Sequence, residues 1–232
     1  MDTLYKVSVW VIPVILAITL HEASHGYVAL RFGDDTARQA GRLTLNPLRH
    51  VDPFGTIILP AMLLLASGGR FSFGFAKPVP VNFWRLNHPK RDMIWVALAG
   101  PGMNILLATV SSVLFHALDW IPNDAAAIWV ARNLWNSMQI NLVLAVFNML
   151  PLPPLDGGRV AVGLLPQDLS VRFARLERWG LAILLLLLFI VPMITGYNVL
   201  AWILETPVEY LLRLVAPLSG YPLQTLLQLD LA

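Results

Sequence analysis

The sequence predicts an all-α polytopic membrane protein, with about four to five transmembrane helices and a re-entrant helix and β-hairpin element between the first span and a Gly-Pro span. Two observations carry this. Apolar residues make up 57% of the chain and charged residues 13%, about half the charged share of an ordinary soluble domain. The apolar residues also gather in runs of the length a helix needs to cross a hydrocarbon core about 30 Å thick. The formal charge is +2, with Lys and Arg scattered through connecting segments, so the expected partner is a lipid bilayer and not nucleic acid. Because there is no cysteine, disulfides and thiolate metal sites are excluded, and any metal must be held by His, Asp or Glu. With no internal repeat and no room for a separate soluble module, a single membrane-embedded domain over 1–232 is expected.

The first span is expected from Leu4 to Phe32. Its run from Val7 to Leu20 carries no charge and covers roughly 21 Å as a helix, which sets His21 well across the bilayer. It lacks a basic start and a small-residue cleavage site, so it is expected to be retained and not removed as a signal peptide. The connection Gly33 to Asp52 is basic, with Arg38, Arg42 and Arg49. Its His50 and Asp52 fit either a turn satisfied by water and backbone or gating groups beside a site. Pro53 to Ser67 is apolar but short, and Gly68-Gly69 stops it. Alternating aromatic and small residues follow from Arg70, leading into Ala76-Lys77-Pro78-Val79-Pro80-Val81-Asn82. This reads as extended chain or an edge strand, because proline cannot donate to a ladder. A full crossing by Pro53 to Ser67 would place the flanking basic segments on opposite sides of the membrane, against the positive-inside tendency; a re-entrant element avoids this.

Asp92 to Leu118 is the Gly-Pro span, interrupted by Gly100-Pro101-Gly102. Asn104 within it is open to two roles, interhelical glue or a hold on a substrate backbone. The connection Asp119 to Ala127 contains no Lys or Arg and reads as external. A fourth span, about Ile128 to Leu150, ends where Pro151, Pro153 and Pro154 break the helix, and Asp156 begins a new element at an apolar depth. Arg159, Arg172, Arg175 and Arg178 make the next connection basic and cytoplasmic. Trp179 to Leu204 is the last strong span. From Thr206 onward, Pro207, Pro217 and Pro222 divide a mildly amphipathic stretch that reads as interfacial.

The chemistry concentrates in Leu20-His21-Glu22-Ala23-Ser24-His25-Gly26. Positions i and i+4 share a helix face, so His21 and His25 can turn two imidazoles toward one metal ion, with Glu22 beside them to act on a water that the ion activates. Ionisable groups at the end of an apolar run are costly to bury unless they are paired, which makes them functional candidates. Asp156 needs a positive partner at its depth, and two histidines plus one carboxylate with an open fourth position is a catalytic zinc arrangement. A helix-capping role for Asp156 is compatible with ligation, since one oxygen can do each job. The charge pattern brings the first and fourth spans inward together, so the His pair and Asp156 are expected at the same depth, toward the cytoplasmic side.

Three segments in order, His21 to His25, Ala99-Gly100-Pro101-Gly102-Met103-Asn104, and Asn148 to Gly158 with Leu155-Asp156-Gly157-Gly158, resemble the site-2 protease family of intramembrane zinc metalloproteases. The likeness covers about residues 7–165 and is nearest to the short bacterial branch without PDZ or CBS modules. It implies a catalytic core at about 4–165, with an additional C-terminal span and interfacial tail at 176–232. It also implies one Zn2+ per chain held by His21, His25 and Asp156, with Glu22 as general base. Substrate or oxyanion-side roles for Asn104 and Asn148 are implied as well. The implied activity is cleavage of a transmembrane or membrane-anchored protein by a multi-pass enzyme of the inner (plasma) membrane. Three other functions compete. A scaffold or chaperone retaining a structural metal would not need Glu22. A transporter would need a second acidic relay along the spans. A membrane zinc peptidase for soluble peptides differs only in its substrate.

Overall fold

The computed structural model describes residues 3–66, 74 and 76–231, and among these the chain forms helices and irregular connections with no strand. The helices are α1 (Thr3–Arg31), α2 (Thr36–Gln39), α3 (Leu59–Ala66), α4 (Pro89–Leu114), α5 (Asp124–Asn148), α6 (Asp156–Leu164), α7 (Gln167–Ala174), α8 (Glu177–Leu185), α9 (Val191–Thr195), α10 (Val199–Val215) and α11 (Leu223–Leu231). Among the described residues, three helical stretches are long and apolar enough to cross a membrane: Leu4–Arg31, Pro89–Trp120 and Glu177–Thr195. The first is α1. The second is α4 continued by a 3-10 turn, Phe115–Trp120, and the third joins α8 to α9 through the π turn Leu186–Ile190.

The fourth expected span is α5, whose 25 residues are long enough to cross but are not among these apolar stretches. Arg132, Asn136 and Asn141 interrupt its apolar surface, and all three are buried. It packs on α1, α4 and α10, and α1 and α4 supply polar partners. Asn136 Nδ2 donates to the Val9 carbonyl of α1 at 2.9 Å, and Trp129 Nε1 donates to Ser8 Oγ at 2.9 Å. Apolar burial gives helices no net drive to associate in lipid, so packing and interhelical hydrogen bonds, worth about 0.6–2 kcal/mol each, hold such elements together.

The C-terminal part departs from expectation. The last span does not run on to Leu204: Gly196, at φ 72°, closes α9, and Asn198 accepts from the Ala201 N–H to start α10. The stretch expected to lie along the interface forms the end of α10, and α11. Its Val215, Ala216 and Leu226 are buried in one cluster with Phe115, Trp135, Met138 and Leu142 of the central helices.

Pro53–Ala66 is helical, a π turn followed by α3, and Asp52 caps it by accepting from the Gly55 N–H at 2.6 Å. Much of the expected hairpin, 67–73 and 75, lies outside the described residues. Its described part, 76–82, is neither helix nor strand and forms no ladder. Pro78 and Pro80 have no N–H to give, and other donors are already taken. Lys77 N–H goes to the His50 carbonyl at 2.9 Å, Val79 N–H to Glu22 Oε2 at 2.8 Å and Asn82 N–H to Asp34 Oδ2 at 2.7 Å. The segment is thereby tied to α1 and the loop that follows it.

Candidate metal centre and active site

His21 and His25 stand one turn apart on α1, with ring centroids 4.7 Å apart and planes at 82°. Each ring is held by its outer nitrogen. His25 Nδ1 is 2.7 Å from the Val96 carbonyl of α4; a carbonyl only accepts, so the proton sits on Nδ1 and Nε2 presents a lone pair. His21 Nδ1 is 2.6 Å from Asn104 Oδ1. The Asn104 amide nitrogen donates to Asn141 Oδ1 at 2.8 Å and to the Ala17 carbonyl at 3.3 Å, so its oxygen end must face His21. His21 therefore also offers Nε2.

Asp156, the first residue of α6, completes the group. Its Oδ2 lies 3.2 Å from His21 Nε2 and 3.3 Å from His25 Nε2, and the two Nε2 atoms are 3.1 Å apart. All three residues are buried, and Oδ2 has no hydrogen-bond partner. Three lone-pair atoms facing one another out of water repel unless a cation lies among them. Their spacing matches one: four-coordinate zinc with ligand bonds of about 2.0–2.1 Å keeps its ligand atoms roughly 3.3 Å apart. The three side chains form a group able to hold one metal ion.

Two glycines make this meeting possible. A Cβ on Gly100 would run into Nε2 of both imidazoles, so the backbone of α4 must be bare where the histidines face it. A Cβ on Gly157 would strike the Met149 and Leu150 carbonyls, which lets α6 start hard against the end of α5 and aim Asp156 back at α1.

Glu22 is half-buried on α1, with Oε2 held by the Val79 N–H. The 76–82 segment thus meets the carboxylate at Val79. Asn148 ends α5 half-buried, its amide nitrogen donating one turn back to the Leu144 carbonyl at 3.0 Å. Asn104, read as interhelical glue or a hold on substrate, is 0% exposed, with both ends of its amide occupied, the oxygen by His21 and the nitrogen by Asn141. His50 and Asp52 follow the turn reading. His50 Nε2 pairs with the Thr44 carbonyl at 3.0 Å, Asp52 caps its helix, and neither joins the metal group.

Over 188 residues, 79% of this chain and 80% of the relative, the sequence is 42% identical to "Putative zinc metalloprotease YwhC" of Bacillus subtilis (strain 168). Residues 116–191 match Peptidase family M50. The chain belongs to this family, the site-2 proteases. Two further relatives are named "Putative zinc metalloprotease Rip2". One, of Mycolicibacterium smegmatis, is 32% identical over 174 residues, 75% of this chain and 64% of the relative. The other, of Mycobacterium tuberculosis (strain ATCC 25618 / H37Rv), is 31% identical over 197 residues, 82% and 71%. No solved structure matches.

For this M50 protein the metal is zinc, and the donor set agrees: two imidazoles and a carboxylate, with no thiolate in the chain. Three contributions were not read from the sequence: the Val96 carbonyl, the Val79 N–H and Asn141. Only Asn141 carried a signal, as an amide within a mostly apolar helix that needs a partner. Asp156→Ala is expected to weaken zinc binding by more than about 100-fold, since even partners outside the ligand set are worth about 10–100-fold. Chelator competition on the purified variant measures this, and unchanged affinity would remove Asp156 from the set.

Proposed function

We propose that this M50 protein is an intramembrane zinc endopeptidase, hydrolysing peptide bonds of transmembrane or membrane-anchored proteins in regulated intramembrane proteolysis. The observation that supports this best is the convergence of His21, His25 and Asp156 between helices of membrane-crossing length, with Glu22 beside them. A purely structural metal would need no such carboxylate.

Zinc, when bound, supplies Lewis acidity and lowers the pKa of a water toward about 7. Glu22, steadied at Oε2 by Val79, takes the proton of the attacking water and passes it to the departing amine nitrogen. A helical peptide bond is shielded by its own hydrogen bonds, so the substrate must unwind. The 76–82 segment, bonded to Glu22 through Val79, and Asn148 at the end of α5 are the groups proposed to receive it. The positive-inside tendency sets the site toward the cytoplasmic face of the inner (plasma) membrane, with Pro53–Ala66 as a re-entrant element.

The test is cleavage of a panel of single-span reporters in proteoliposomes, beside soluble peptides of the same sequences. Cutting of embedded reporters that stops with chelator and returns with zinc is expected. Chelator-sensitive cutting confined to the soluble peptides would reject the intramembrane reading.

A further inference from the structure

The hydrogen bonds behind His21 reach one helix beyond the residue that touches it. We propose that Asn141 of α5 is a positioning residue for the metal centre, setting through Asn104 which edge of the His21 imidazole faces Asp156. The inference rests on the reading of His21 as a zinc ligand.

The two ends of a side-chain amide are nearly the same size, so what lies beyond each end decides which way it points. The chain of decisions starts at a backbone carbonyl. Asn141 Nδ2 donates to the Ser137 carbonyl of its own helix at 2.8 Å, with Ser137 Oγ at 3.3 Å. A carbonyl only accepts, so the nitrogen end of Asn141 must face it and Oδ1 must face α4. There Oδ1 accepts from Asn104 Nδ2 at 2.8 Å. That turns Asn104 Oδ1 to His21 Nδ1 at 2.6 Å. His21 must then carry its proton on Nδ1 and present a bare Nε2 to the metal group.

The alternative orientation has a definite consequence. If Asn104 turned over, its N–H groups would face Nδ1, which would accept from them, and the proton would move to Nε2. The edge that must bind metal would then be blocked. The Ala17 carbonyl also favours the correct orientation, but at 3.3 Å it is the longer contact. Asn104 and Asn141 are 0% and 1% exposed, so bulk water does not substitute for the missing partner. In a low-dielectric interior each such bond weighs more than it would at the surface.

The fold makes the arrangement economical. α1, α4 and α5 pack on one another, and the relay crosses all three with two side chains. Ser111 Oγ of α4 also donates to Ser137 Oγ at 2.8 Å, tying down the turn of α5 on which Asn141 depends. His25 needs no such relay, because its Nδ1 meets a backbone carbonyl directly. Of the two ligand imidazoles, only His21 has an orientation that depends on amide side chains.

The experiment is a double-mutant cycle read by zinc affinity, with chelator competition on detergent-purified, full-length protein and circular dichroism to confirm folding. Asn141→Leu removes the acceptor for Asn104 and is expected to weaken zinc binding about 10–100-fold, the usual cost of losing a partner behind a ligand. Asn104→Asp is the decisive background, because a carboxylate accepts from His21 Nδ1 with either oxygen and needs nothing to orient it. In that background Asn141 Oδ1 faces a carboxylate oxygen that cannot donate to it, so Asn141→Leu is expected to cost no zinc affinity.

Equal losses in both backgrounds would show that Asn141 merely packs, and unchanged affinity for Asn141→Leu alone would likewise overturn the proposal. If Asn141→Leu does not fold, Asn141→Ala is read in the same cycle. His21→Ala distinguishes failure of the underlying assignment: zinc retained in that variant removes His21 from the ligand set, whatever Asn141 does.

Discussion

Gly100→Ala is expected to cost the protein its zinc, while Gly102→Ala, two residues further along the same motif, leaves it loaded. Both glycines lie in α4, and neither is needed for an unusual φ. The difference is what faces them. A methyl on Gly100 would enter the space between the two imidazoles, against Nε2 of each, whereas one on Gly102 meets nothing within 4 Å. To admit it at position 100, the His rings would have to give up the Val96 and Asn104 contacts that aim them, or α1 would have to move off α4. Overpacking of this kind costs about 1–3 kcal/mol in stability. The larger effect is on the metal, with a loss of affinity of more than about 100-fold, beyond that of any single partner behind the ligands. At position 102, alanine gains helix propensity of up to about 1 kcal/mol. Metal content after purification in zinc, with a thermal melt for each variant, separates the two. A zinc-replete Gly100→Ala protein would mean that the imidazoles do not bind metal where they face α4.

Glu22→Gln is expected to keep zinc and lose turnover. The amide is nearly the size of the carboxylate and its oxygen can still accept from the Val79 N–H, so the 76–82 segment should stay in place. What disappears is the capacity to take a proton. General acid–base catalysis is worth about 10²–10⁴-fold, or about 3–5 kcal/mol of barrier, and kcat is expected to fall by that factor with KM little changed. The measurement is reporter cleavage beside metal content. Full activity in the Glu22→Gln variant would move the base elsewhere. Zinc lost together with activity would assign Glu22 to the metal set, which the distances do not place it in.

The site was more legible than the frame around it. His21, Glu22 and His25 fall within one turn and a third of helix, so their spacing alone sets their relation on α1. Asp156 was legible because an acid after three prolines at an apolar depth needs a cation. Asn104 was visible as a buried amide, but its partner was not: either substrate or neighbour satisfies the same hydrogen-bond requirement. α5 was read as an ordinary span, although its asparagines mark an interior helix whose polar groups find partners on α1 and α4. The tail was read as interfacial from its amphipathicity, which marks an apolar face without naming what covers it; Val215, Ala216 and Leu226 of that stretch are buried on the central bundle.

By itself, then, the sequence determined the membrane class, the zinc chemistry and which three side chains, His21, His25 and Asp156, would group, because these follow from residue type, hydropathy and helical period, all of which are local. Only the tertiary structure decided that Gly100 clears the space for the imidazoles, that Val96 and Asn104 aim them, and that the 76–82 segment rests on Glu22. Those outcomes depend on which backbone and amide groups of distant segments come within hydrogen-bonding distance. Close approach between packed helices sets that, and no spacing along the chain encodes it.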